Sequence, residues 1–208
     1  MYEICTAIKN LDVRFDTFSR ANYCDLKTLN LLKKSGCWQI QIGVESGSQR
    51  ILDFLKKGTS VEMNAEAIKN CRKIGIFSHC AFMIGIPTET EEDLKKTYYF
   101  IQKNKPDLGG AGFFIPFPKT VLWDYCVKEK LIDIPNSIEE WAGKYQGFDK
   151  LNVNVSNIPN NILIKYSREM NYILNKRRYI KKFFLYIKNR RLPDYRRVVS
   201  TVKEKIIF

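Results

Sequence analysis

Two hydrophobic periods alternate in a fixed order along this chain, and that alternation limits the folds open to it. Residues 13–20 (VRFDTFSR), 38–44 (WQIQIGV), 77–86 (FSHCAFMIGI) and 111–117 (AGFFIPF) are apolar, aromatic or β-branched runs of strand length. A helical pattern follows each of them. Asp25 stands as an N-cap before Leu26, Leu29 and Leu32, and Gly36 ends that helix. Ser48 opens a helix through Ile51, Leu52 and Leu55, closed by Gly58. Thr59 and Glu62 form a capping box for the next helix, which runs through Ile68 to Gly75. Thr88 and Thr90, with Glu91 and Asp93, start a helix to about Lys103, and a further helix occupies 120–130. Repeated strand–helix units at spacings of about 25–40 residues build a parallel sheet or barrel. The near-continuous apolar run of 77–86 predicts a strand buried on both faces.

A complete (β/α)₈ barrel takes about 250 residues. With 208 residues, this chain reads as a small or partial barrel. The alternation covers 1–132. Residues 133–208 form a C-terminal extension, irregular over 133–157, helical near 160–175, and again helical over 176–191 with Ile180, Phe183, Phe184 and Ile187 on one face among basic residues. Ligands of parallel α/β folds sit at the carboxyl ends of the strands. Here those ends read Ser19-Arg20, Glu45-Ser46-Gly47, Gly85-Ile86-Pro87 and Pro116-Phe117-Pro118.

Charge and cysteines exclude several function classes. Of the net +13, residues 165–205 carry fourteen Lys/Arg against three Asp/Glu, or 14 − 3 = +11, which leaves 13 − 11 = +2 for the remainder. The apolar stripe within that basic tail argues against nucleic acid and leaves open attachment to an anionic membrane surface. The six cysteines, at 5, 24, 37, 71, 80 and 126, show no CxxC, CxxxC or CxxH spacing. They read as buried free thiols of a reducing cytoplasm rather than a disulfide framework or a metal cradle. His79, the single histidine, argues against a His-based metal site or a Ser-His-Asp triad.

The segments GCWQIQIGVESGSQRILDFLKKGTSVE (36–62), GIFSHCAFMIGIPTETEEDLKKT (75–97) and FIPFPKT (114–120), in this order and spacing, resemble the radical S-adenosylmethionine (SAM) superfamily. The branch whose longer members carry a cobalamin-binding domain is the most similar. The resemblance implies a (β/α)₆ partial barrel in which a [4Fe–4S] cluster, held by a CxxxCxxC loop after the first strand, cleaves SAM to a 5′-deoxyadenosyl radical. On that pattern the chain holds strands three to six, and the first two strands with the cluster loop are missing. An N-terminal truncation, a split gene or a misassigned start would each account for this, and the chain alone is then expected to be inactive. The partners implied are the missing N-terminal barrel segment and a small-molecule substrate. Cobalamin use is left open.

The resemblance implies that Glu45 accepts hydrogen bonds from the SAM ribose and that Lys57 reaches the SAM carboxylate. Ser46, with Gly47 and Ser48, brings backbone close to the ligand; Ser48 also reads as a plain N-cap, and Lys57 as a solvated lysine before a C-cap glycine. Arg20 points into the same mouth, toward SAM, a substrate acid or a surface ion pair. Met83 and Gly85, within Met83–Pro87, place backbone groups beside adenine. Lys119 stands where glycine is more usual in the family, at a turn that positive φ would suit. The competing reading is a remnant without a cluster that serves as a binding or scaffold protein at a membrane surface.

Overall fold

A computed structural model describes residues 2–176 apart from 10, 12 and 146. The predicted helix over 176–191, and with it the membrane reading, lies outside the described residues except for Lys176. Thirteen elements follow one another: α1 (Tyr2–Lys9), β1 (Phe15–Ser19), a short 3₁₀ turn (Ala21–Tyr23), α2 (Leu26–Lys34), β2 (Cys37–Glu45), α3 (Gln49–Phe54), α4 (Val61–Ile74), β3 (Phe77–Ile84), α5 (Glu91–Asn104), β4 (Leu108–Phe113), α6 (Val121–Lys128), α7 (Ile138–Tyr145) and α8 (Asn160–Asn175). Among the described residues one four-stranded sheet forms in the order β1-β2-β3-β4, all parallel. None of the described helices is long and apolar enough to cross a membrane.

Strand period sorts the side chains. Ile40, Ile42 and Val44 of β2, Cys80, Phe82 and Ile84 of β3, and Ala111 and Phe113 of β4 enter one core with Leu29 and Leu32 of α2, Ala67, Ile68 and Cys71 of α4, and Leu94 and Ile101 of α5. The alternate residues, including Gln41, Gly43 and Glu45 on β2 and His79, Ala81 and Met83 on β3, face the other way. That second face is the inner, concave one of a barrel. It corrects the reading of β3 as buried on both sides: its burial alternates, and Ala81 is exposed.

Local signals decide the element ends. Asp25 caps α2 by accepting from Thr28 N at 2.9 Å. Thr90 and Asp93 form a full capping box on α5. Ser60, not Thr59, caps α4 by accepting from Met63 N, so the expected box shifts by one residue. Ser48 flanks α3 but makes no side-chain cap, because its hydroxyl donates to Asp93 instead. The fourth strand begins at Leu108, three residues before its predicted start, and ends at Phe113. Pro116 and Pro118 lack the N–H a ladder needs, so 114–117 leaves the strand after one bond from Phe114 N to Ile84 O. The expected strand end at Pro116 is therefore a loop beyond the strand. Lys119 does adopt positive φ, at 64°.

Helix α7 lies within the stretch expected to be irregular, and Ser137 caps it by accepting from Glu140 N at 3.2 Å; α1 precedes the first expected strand. The extension packs onto the barrel. Val155 joins Ile51, Ile86, Phe114 and Cys126 in one small core, and Tyr145 joins Ile115 and Trp123 in another. Helix α8 runs along β4. Asn171 pairs with Ala111 through both halves of its amide, accepting from Ala111 N at 3.0 Å and donating to Ala111 O at 2.9 Å. Asn175 donates to Gly109 O, and Phe113 N donates to Phe148 O. The outer edge of β4 is thereby sealed by side-chain amides and a loop.

Candidate functional site

Glu45 closes β2 in the left-handed region, at φ 63°. A non-glycine residue there costs on the order of 1–3 kcal/mol, and such strain concentrates at functional positions. Its carboxylate meets the Lys57 ammonium at 2.6 Å, with each side chain about one-fifth exposed. The Arg20 guanidinium donates to the Lys57 carbonyl. Three of the sequence-predicted residues, from the loops after β1, β2 and α3, are thus brought together. Gly43 lies beneath the pair, and a Cβ there would stand 2.6 Å from Glu45 Oε1 and 2.9 Å from Lys57 Nζ. The missing side chain is what leaves room for the pair on the inner face.

Ser46 takes a different part from the one expected of it. It is fully buried, and its hydroxyl pairs with Thr97 Oγ1 at 3.0 Å while accepting from Ser48 N. Gly47 N also donates to Thr97. A Cβ on Gly47 would come within 2.7 Å of the α5 backbone, so only glycine allows this approach. Asp93, at the start of α5, accepts from Ser48 Oγ at 2.6 Å, from Thr90 and from Arg50, whose guanidinium also grips Thr88. Burial pushes the Asp93 carboxyl up, but hydrogen bonds from Arg50, Ser48 and Thr90 outweigh it and hold the group below the usual carboxylate range. One helix start therefore fastens the loop after β2 to the loop after β3.

That second loop has its own buried acid. Glu89 accepts from Gly85 N at 2.6 Å and Ile86 N at 3.3 Å, and it is fully buried. Burial pushes its carboxyl up to about 8, against the pull of the two amides. The Gly85 and Ile86 amides are thus already bonded, and the Ile86 carbonyl accepts from Glu89 N at 3.0 Å. Sequence reasoning passed over Glu89, Asp93 as a loop latch, and Thr97. Their signal was the density of Thr and acidic residues between Thr88 and Thr97, which also serves helix capping.

Met83 and Glu45 line a cavity of about 500 Å³ on the inner face, shared with Ala81, Gly110, Gly112 and Phe148. The residues present do not fit an iron–sulfur cluster. All six cysteines are buried. Burial raises the thiols of Cys37 and Cys126 to about 11, away from the thiolate a metal requires. No three His, Cys, Asp or Glu side chains converge on a metal position among the described residues.

A model of the radical SAM superfamily matches residues 1–101. Over that stretch, just under half of its length, the chain is similar to the radical SAM superfamily. An uncharacterized methyltransferase of Pyrococcus horikoshii is 33% identical over 124 residues, which is 60% of this chain and 27% of that protein. An anaerobic magnesium-protoporphyrin IX monomethyl ester cyclase of Cereibacter sphaeroides is 35% identical over 99 residues, 48% of this chain and 16% of that protein. The radical SAM methyltransferase TsrM from Kitasatospora setae, solved with cobalamin and a [4Fe–4S] cluster bound, superposes with a TM-score of 0.56 at 19% identity, over 62% of this chain and 26% of its own. The chain thus spans about a quarter or less of the length of these proteins, and its parallel sheet shares the fold of part of TsrM.

Proposed function

We propose that this chain supplies the SAM-binding loops and one wall of the substrate cavity of a radical SAM enzyme of the cobalamin-associated branch. The observation that carries this reading is the Glu45–Lys57 pair at 2.6 Å on the inner face, above Gly43. A carboxylate and an ammonium side by side match the opposite charges and hydroxyls of SAM. On binding, Lys57 turns to the ligand carboxylate and Glu45 accepts from the ribose. One internal ion pair is exchanged for two ligand contacts. Arg20 holds the Lys57 backbone in place, and Asp93 keeps the loops after β2 and β3 at a fixed separation. Backbone groups of Met83–Pro87 lie beside the adenine.

A [4Fe–4S] cluster in this family supplies the electron that converts SAM to a 5′-deoxyadenosyl radical. Its ligands are assigned to a barrel segment that pairs with the open edge of β1. Methyl transfer and ring closure, the reactions for which two relatives are named, are the candidates for the whole enzyme. Calorimetry of SAM binding to the chain tests the reading. Glu45→Ala weakens binding by about 1–3 kcal/mol, the cost of stranding a buried polar partner. Equal SAM affinity in the two proteins refutes the role given to Glu45.

A further inference from the structure

Given the proposed function, we infer that the 500 Å³ cavity takes a planar aromatic ring system as the substrate, held over Ala81 and Gly110 beside Phe148. Three features on separate elements carry this. The first is the cavity's position: it opens on the inner face next to Glu45, so a molecule in it lies beside the proposed SAM contacts. Its volume falls in the range of small-molecule sites, roughly 300–1,000 Å³. The second is its floor. Ala81 pairs with Gly110, so the inner face there is nearly free of side chains, while at the next pair, Met83 with Gly112, Phe148 rests on the glycine with its Cβ 3.3 Å from where a Gly112 Cβ would stand.

The third feature is a run of rings at the rim. Phe117 and Phe148 have centroids 6.4 Å apart, and Phe117 and Trp141 5.2 Å apart. Trp141 is fixed by its indole N–H, which donates to Pro116 O at 2.8 Å. Phe148 is 61% exposed and Phe117 44% exposed, although smaller cores lie close by. Large exposed rings at the mouth of a cavity are unused contact area, and rings favour stacked or edge-on partners. A bare floor and an aromatic rim together select a flat ring over a puckered or linear molecule. Asp149, at the margin, offers a carboxylate to polar substituents.

The test uses the full 208-residue chain with two monocarboxylate probes of matched charge, planar acridine-9-carboxylate and globular adamantane-1-carboxylate. SAM affinity is measured in parallel on every protein. Acridine-9-carboxylate should bind and the adamantane probe should neither bind nor compete. Phe148→Ala and Phe148→Leu should each weaken the planar probe about tenfold, the loss expected for a stacking ring, while Phe148→Trp keeps it. Gly110→Val places a branched side chain on the floor, where the nearest atom to an added Cβ is Asn171 Oδ1 at 3.8 Å. It should fold and exclude the probe. In all four variants SAM affinity should hold, because none touches Glu45 or Lys57. Equal binding of the two probes, or planar binding indifferent to Phe148 and Gly110, overturns the inference even where SAM binds. Loss of SAM binding in Glu45→Ala with probe binding intact leaves the aromatic pocket standing, and its absence there strikes at the SAM reading instead.

Discussion

Glu89 shows how much can rest on one side chain. Its buried carboxyl is raised to about 8 from an ordinary value near 4.5. The folded state therefore holds a proton on Glu89 between about pH 5 and 8 that the unfolded chain has released. Stability falls wherever the native state binds more protons and the pH rises, so this group weakens the fold as pH climbs through that window. Glu89→Gln keeps an acceptor for Gly85 N and Ile86 N but cannot ionise. Urea unfolding at pH 5.5 and pH 8 should show the native chain losing a few kcal/mol more than the variant. Parallel slopes in the two proteins would mean that Glu89 is ionised throughout. Nothing in the sequence announces this. Glu89 stands in a run of acids and threonines whose plain use is helix capping, and only the turn at Gly85 brings two amides to it. Glu45 and Lys57 were legible, because a carboxylate at a strand end and a lysine twelve residues on belong to a familiar series. Ser46 was legible as a position but not as a direction, since its burial against Thr97 depends on where α5 packs.

Elements were readable wherever a cap and a period agreed. Asp25 for α2 and Thr90 with Asp93 for α5 are such cases. Where two candidates stood side by side, as Thr59 and Ser60 do, sequence alone did not choose between them; the chain path out of Gly58 does. The seal on β4 is a tertiary effect that no local pattern reveals. Asn171 reads as one polar residue of an amphipathic helix, yet its amide replaces a neighbouring strand at Ala111. Asn171→Leu keeps the volume and strands both Ala111 groups. The loss should be about 1–3 kcal/mol, the cost of leaving buried backbone groups unpaired. Hydrogen exchange gives the local reading: the Ala111 amide should exchange faster in the variant while the amides of β2 keep their protection. Unchanged exchange at Ala111 would show that α8 merely covers the edge.

At the scale of the molecule the two edges of the sheet are unequal. Helix α8 and the Phe148 loop close β4, whereas among the described residues no strand lies beyond β1. Beside that edge runs an apolar groove of about 350 Å³ lined by Ile4, Ile8, Phe15 and Phe18, and Phe18 is 80% exposed. An open strand with apolar flanks seeks a partner. With one such edge among the described residues, pairing of identical chains through it is self-complementary and closes at two, so the isolated chain should form dimers rather than the open-ended aggregates a sheet with two free edges gives. Light scattering across a dilution series should show a dimer giving way to monomer. Phe18→Lys should shift that balance to monomer, since a charge on an edge strand opposes pairing. Adding the proposed cluster-bearing segment should abolish the dimer by occupying β1. A native chain that stays monomeric at the highest concentration would show that α1 and the groove already protect the edge, and would remove the ground for placing the cluster segment there.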